Sequence, residues 1–139
     1  PDTFEPIPTA EAWQLSNAPV LSMTPLLASL NLFDQAGMPA LRKKALELSG
    51  YLAFVIKEVA QSTGVPMRIL TPLEDKRRGA QLSVVIPEKG KAVFDALTAK
   101  GVIADWREPD VIRMAPVPLY NSYQDIYRFG KIVEETLNA

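Results

Sequence analysis

Neither histidine nor cysteine occurs in this sequence, so its chemistry is confined to carboxylates, lysine, tyrosine, arginine or a borrowed cofactor. Without imidazole there is no Ser-His-Asp hydrolysis, no HExxH metal site and no ordinary general base near neutral pH. Without thiols, disulfides, iron–sulfur ligation, zinc ribbons and thiol catalysis are excluded. Against that background Arg113 stands out. It sits in an apolar run, 111–115, where Ile112 and Met114 point one way and Val111, Arg113 and Ala115 the other. Arginine is rarely buried without a partner. One reading is a guanidinium fork that grips a ligand carboxylate through two parallel hydrogen bonds. The other is an edge-strand arginine on a solvated face.

Two further segments carry polar groups that could meet a ligand. Asn17, in the run WQLSNAP (13–19), precedes a helix; asparagine before proline is ordinarily a cap or turn residue, but helix N-termini also collect phosphates and carboxylates. The run PVPLYN (116–121) offers Tyr120 and Asn121 on a chain stiffened by two prolines, and is otherwise a rigid connector. The mixed-sign run 74–78 has no interleaved aromatic residue and reads as a solvated turn. Trp13 and Trp106 read as packing residues, and Gly79, Gly90 and Gly101 do not space as a phosphate cradle.

The elements that must position these residues follow from periodicity. Residues 1–19 hold four prolines and are expected to form an extended entry strap. From Val20, apolar residues at Met23, Leu26, Leu27, Leu30 and Phe33 predict a helix ending at Gly37, with Thr24 and Pro25 as an alternative cap and first helical residue. Leu41, Ala45, Leu48, Leu52, Val55, Ile56 and Val59 make one stripe of a second helix over 39–63, stopped at Gly64. Beyond Pro66 the period shortens. Strands are expected at 67–72, 80–86, 102–106 and 111–115, with a helix over 89–100 and a turn at 107–110. Strand 111–115 should run back and pair between 80–86 and 102–106. Ser122 and Asp125 form a capping box, with Asp in place of Glu or Gln, ahead of a last helix whose face holds Tyr123, Ile126, Tyr127, Gly130, Val133 and Leu137.

The order is α-α-β-β-α-β-β-α. The fold class is α/β (α+β): a small, mostly antiparallel sheet with helices on one face, plus two N-terminal helices. The expected division is a strap over 1–19, a two-helix connection over 20–64 and an α/β domain over 65–139. Fifteen basic against sixteen acidic side chains, a formal charge of −1, argue against a nucleic-acid or polybasic membrane surface. No stretch reaches the ~18 apolar residues of a membrane span. The acidic, proline-rich N-terminus lacks a signal peptide's apolar run, so a cytoplasmic location is expected. Pro1 in place of an initiator Met reads as a piece cut from a longer polypeptide.

The runs LRKKALELSGYL (41–52), LTPLEDKRRGAQLSV (70–84) and IRMAPVPLYNSYQDIYRF (112–129) together resemble the C-terminal region of the kynureninases, and LSNAP (15–19) fits the segment leading into it. The stretch at 112–122 is the most specific. The resemblance implies the C-terminal small domain of an aminotransferase-like, fold-type-I enzyme that uses pyridoxal phosphate. Such an enzyme hydrolyses L-kynurenine or 3-hydroxykynurenine to an anthranilate and L-alanine, in tryptophan catabolism and NAD biosynthesis, as a cytoplasmic homodimer. It further implies that Arg113 holds the substrate α-carboxylate and that Asn17 contributes to the cofactor site near the phosphate. Tyr120 and Asn121 match the family's motif but take no chemical role from it. The Schiff-base lysine and the aspartate facing the pyridine nitrogen have no counterpart here, since none of the eight lysines falls in the family's lysine motif. The chain alone is therefore expected neither to bind the cofactor covalently nor to turn over substrate. Two other readings stand beside this one: the small domain of another aminotransferase-like enzyme, and a free-standing α/β module that binds an amino acid and regulates a partner.

Overall fold

A computed structural model describes residues 3–139. The chain divides into two compact units, one ending at Gly37 and the other running Met38–Ala139. That boundary falls inside the 20–64 segment expected to be a two-helix connection. The second of its helices belongs with the sheet, because its apolar stripe gives the core more buried side chains than any other element.

The first unit holds a short 3₁₀ turn, Ala10–Trp13, within the strap, and then helix α1, Val20–Ala36. The helix starts at Val20 with Pro19 at its cap, not at Thr24 and Pro25. Pro25 is the sixth residue of this helix, past the first turn, and its missing N–H removes the bond that the Leu21 carbonyl would otherwise accept. The Thr24 hydroxyl donates to the Val20 carbonyl at 2.9 Å, a back-bond within the turn and not a cap. Gly37 ends the helix at φ +77, a conformation that costs a glycine little. No residue of α1 is buried, and Leu21, Met23, Leu26, Leu27 and Leu30 are all exposed.

The second unit begins with α2, Met38–Thr63. All seven stripe residues, Leu41, Ala45, Leu48, Leu52, Val55, Ile56 and Val59, are buried. Gly64 stops the helix at φ +68. Strands β1 (Arg68–Ile69), β2 (Leu82–Val85), β3 (Asp105–Arg107) and β4 (Val111–Met114) form one antiparallel-paired sheet in the order β1-β2-β4-β3. As expected, β4 lies between its neighbours; β2 and β3 are consequently parallel to each other, joined by α3 (Gly90–Ala99). Helix α4, Tyr123–Asn138, follows β4.

The sheet has two unlike faces, and the register shows why. Ile69, Val84, Ile112 and Trp106 are cross-strand partners in one row, and Leu82 pairs with Met114 in the next. These side chains enter a core shared with Leu48, Leu52 and Ile56 of α2, Val93 and Leu97 of α3 and Ile126 and Val133 of α4. All three helices of this unit therefore cover one face of the sheet. At roughly 1.5–3 kcal/mol for each fully buried large aliphatic side chain, this core outweighs any helix-propensity term.

Two strands are displaced from expectation. The first is expected over 67–72 and its ladder covers only Arg68–Ile69, although Leu70 N still donates to Ser83 O at 2.8 Å and Thr71 Oγ1 accepts from Ser83 N at 2.9 Å. The third is expected over 102–106 and lies at Asp105–Arg107. Val102 N is occupied by Leu97 O at 2.9 Å, closing the end of α3 past Gly101 at φ +80, so the chain joins the sheet later. Arg107 is consequently a strand residue and not part of the turn.

Two side-chain readings also change. Tyr123 and Tyr127 of α4 are exposed, while Ile126, Gly130, Val133 and Leu137 are buried. The run 74–78 is not wholly solvated, because the Arg78 side chain is only 5% exposed. It donates to Leu73 O at 3.1 Å, pairs with Asp75 Oδ1 at 3.0 Å and donates to the hydroxyl of Ser49, the buried polar residue of α2. Arg42 of α2 completes this clamp by donating to the Arg78 carbonyl at 2.9 Å and to the Asp75 carbonyl.

Candidate functional site

The face of the sheet away from the helices carries the charged residues. Its two rows are Arg68, Val85, Val111 and Arg107, then Ser83, Arg113 and Asp105. Three guanidinium groups and one carboxylate share this face, an excess of two positive charges. No lysine lies on any of the four strands.

Arg113 points away from the core, as its strand alternation requires, and its side chain is 33% exposed. It is not a free fork. Nε donates to Asp105 Oδ2 at 2.5 Å, and Nη2 contacts the same oxygen. Arg107 Nε donates to that oxygen too, at 2.9 Å. The Asp105 carboxyl is held below the ordinary carboxylate range, chiefly by the hydrogen bond from Arg113, with desolvation opposing and the positive charges of Arg107 and Arg113 adding to it. Asp105 therefore stays ionised at neutral pH. Among the described residues Nη1 of Arg113 has no hydrogen-bond partner, which leaves the Nη1–Nη2 edge of the guanidinium for an anion of carboxylate geometry.

Sequence reasoning reached Arg113 but not Asp105 or Arg107. A signal was present. The expected hairpin between the third and fourth strands, once centred on Pro109, places an acid at 105 directly across from 113.

The loop after β4 is built, as the connector reading holds, to be rigid. Asn121 Oδ1 accepts from Val117 N at 2.8 Å and Asn121 N donates to Val117 O at 2.8 Å, so the asparagine closes the loop on itself. Lys44 of α2 donates to Pro118 O at 2.7 Å and ties the loop down. Tyr120 is exposed and points at no protein partner among the described residues. The capping box then starts α4: Asp125 Oδ2 accepts from Ser122 N at 2.8 Å and Asp125 N donates to Ser122 Oγ at 3.4 Å. A groove of about 540 Å³ opens beside this loop, lined in part by Val102, Ile103, Pro116, Tyr120, Arg128 and Phe129; Arg113 is not in its wall.

Asn17 belongs to the first unit, in an exposed bend before α1. Arg113 belongs to the second.

Among the described residues nothing amounts to a pyridoxal-phosphate site. Seven of its lysines are exposed, and Lys44 is committed to the Pro118 carbonyl. No lysine on the sheet stands beside Arg113 to form a Schiff base. What the second unit presents on this face is an aspartate held by two arginines, Arg107 and Arg113, with Arg68 beside them.

Comparison with known proteins agrees with the resemblance drawn from the sequence. The family model for the kynureninase C-terminal domain matches residues 41–133. Kynureninase from Christiangramia forsetii is 49% identical over 132 residues, which is 95% of this chain and 31% of that protein. Kynureninase from Xanthomonas euvesicatoria pv. vesicatoria is 53% identical over 135 residues, 94% of this chain and 31% of its own length. The chain thus spans about a third of the curated relatives it matches. A solved structure described as a NifS-like protein shares the fold at a TM-score of 0.60 and 21% identity, over 72% of this chain and 29% of that one.

Proposed function

Because the chain belongs to the kynureninase C-terminal domain family, we propose that it is the substrate-carboxylate wall of a kynureninase active site. The full-length polypeptide would hydrolyse L-kynurenine or its 3-hydroxy form to the corresponding anthranilate and L-alanine. Pyridoxal phosphate would be held by the part of the polypeptide outside this chain, with Asn17 adding to the wall near the phosphate. As in the family, the assembly would be a homodimer. By itself the chain would neither hold the cofactor covalently nor turn over substrate.

The observation that carries this reading is Arg113. It stands between apolar neighbours on β4, points to the face opposite α2, α3 and α4 and keeps its Nη1–Nη2 edge open. A carboxylate bound there gains two parallel charge-assisted bonds. That grip selects amino acids over the corresponding amines and holds Cα in one orientation, which is worth rate as well as affinity. The backbone of β4 is paired on both sides, to β2 and to β3, so the anchor is mounted on a rigid element.

The test is Arg113→Ala in the full-length polypeptide. A hydrogen bond to a charged group is worth about 1.5–3 kcal/mol, so kcat/KM should fall roughly 10- to 150-fold, with KM raised and cofactor content unchanged. Arg113→Lys should rescue only in part, because an ammonium is a point charge without the planar fork. Near-parental kcat/KM for Arg113→Ala, beside an unchanged melting temperature, would show that the carboxylate is held elsewhere.

A further inference from the structure

Asp105 is the residue that Arg113 meets first, and its carboxylate could act on a substrate-binding arginine in either of two ways. It could compete with the ligand by occupying the same edge of the guanidinium, or it could orient the guanidinium for the ligand. The geometry decides between them. A guanidinium has five N–H groups, one on Nε and two on each terminal nitrogen. Asp105 approaches through a single oxygen, Oδ2, and takes Nε and Nη2. The two N–H groups along the Nη1–Nη2 edge, whose spacing matches a carboxylate, remain.

We propose that Asp105 is the positioning residue for Arg113, holding the Nε side of the guanidinium so that its Nη1–Nη2 edge stays open to an α-carboxylate, with Arg107 compensating the charge of Asp105. This rests on the assignment of Arg113 above. The need for Arg107 follows from charge. Asp105 alone would cancel the attraction of Arg113 for an anion. Arg107 Nε reaches the same Oδ2 at 2.9 Å, and with Arg68 on the same face the surface stays cationic. The need for positioning follows from flexibility, since a long arginine side chain must otherwise be immobilised at each binding event. Asp105 is directly opposite Arg113 in the β3–β4 ladder, so the backbone pairing sets the distance between the two.

The experiment compares Asp105→Ala, Asp105→Asn, Arg113→Ala and the double variant Asp105→Ala/Arg113→Ala in the full-length polypeptide, with melting temperatures recorded for each. Two ligands separate orientation from general damage: L-alanine, and ethylamine, which lacks only the carboxylate. Asp105→Ala should raise KM for kynurenine and the dissociation constant for L-alanine about 2- to 13-fold, the penalty of immobilising one freed side chain, and leave ethylamine binding unchanged. Asp105→Asn keeps an oxygen that accepts from Nε and should stay within about 2-fold of the parent. In the Arg113→Ala background, removing Asp105 should cost nothing more. An unchanged KM in Asp105→Ala, where Arg113→Ala does raise it, overturns the positioning role and leaves the anchor intact. A lowered KM overturns it in favour of competition. Equal loss for L-alanine and ethylamine overturns it in favour of a structural role. If Arg113→Ala itself changes nothing, the anchor assignment fails and this inference falls with it.

Discussion

Gly130→Ala should destabilise the second unit, although alanine is the better helix former. Gly130 is buried in the middle of α4, where that helix lies against α2. A Cβ built on it would come under 3.0 Å from Val55 Cγ1, with Val55 Cβ at 3.8 Å and Val59 Cγ2 at 3.9 Å. In an open helix the change would gain about 1 kcal/mol of propensity. Here it must displace a methyl group of a buried valine whose χ1 is almost fixed in a helix, or push two packed helices apart. Overpacking of this kind costs typically about 1–3 kcal/mol. With the contact under 3.0 Å the cost falls in the upper part of that range, about 2–3 kcal/mol, so the net loss should be about 1–2 kcal/mol, and in a unit of this size each 1 kcal/mol lowers Tm by roughly 4–8 °C. Urea unfolding, followed by circular dichroism, gives the free energy. The decisive measurement adds Val55→Ala. That variant alone should also lose stability. In the double variant, however, the methyl group introduced on Gly130 enters the space left by Cγ1 of Val55. The combined loss should therefore fall short of the sum of the two by about 1 kcal/mol or more. If Gly130→Ala is as stable as the parent, or if the two losses simply add, then the close approach of α2 and α4 at this point does not constrain the core.

Arg78→Ala should cost about 1–3 kcal/mol in the same assay, because it leaves the buried Ser49 hydroxyl and the Leu73 carbonyl without their donor; a loss under about 0.5 kcal/mol would mean that water replaces the arginine freely. The Asp125 carboxyl is held below its ordinary value, first by the backbone N–H of Ser122 and then by the Ser122 hydroxyl. Since the folded value is depressed, its contribution to stability is fully present above the unfolded value of about 3.9 and is lost as pH falls through the folded one. An NMR titration should find the Asp125 midpoint below that of an unfolded reference peptide, and Ser122→Ala should raise it only in part, because the backbone N–H that lowers it most remains. The exposed leucines of α1 should make the isolated chain self-associate or bind an apolar dye; sedimentation as a clean monomer that leaves the dye dark would contradict this.

Which features could be read in advance depends on whether a pattern of residue types carries them or one particular hydrogen-bond partner does. The stripe of α2 was visible because a helix that buries one face must repeat apolar residues every three or four positions, and all seven are buried. The placing of β4 between β2 and β3 followed from a short turn and a crossover helix, both local. What failed depended on which particular partner, near in sequence or far, takes a given polar group. Val102 looks like a strand residue until Leu97 O claims its N–H. Arg78 looks like one more charge in a solvated turn until Ser49, 29 residues earlier, accepts from it. Asn121 gave no hint that its own side chain closes the loop it sits in.

The site divides along the same line. Arg113 was conspicuous on its own, as a charge among Val111, Ile112 and Met114. Its partner was not, because an aspartate eight positions earlier becomes relevant only when the hairpin register is known to the residue. A slip of one residue in that register would send Asp105 to the core face and bring Ala104 or Trp106 opposite Arg113. The row of half-buried Trp106 with buried Ile112 and Val84 opposes that slip, since it would turn the tryptophan off the core and an acid onto it. The same apolar packing that builds the core therefore also sets which carboxylate meets Arg113, and through it which edge of the guanidinium is left for a ligand.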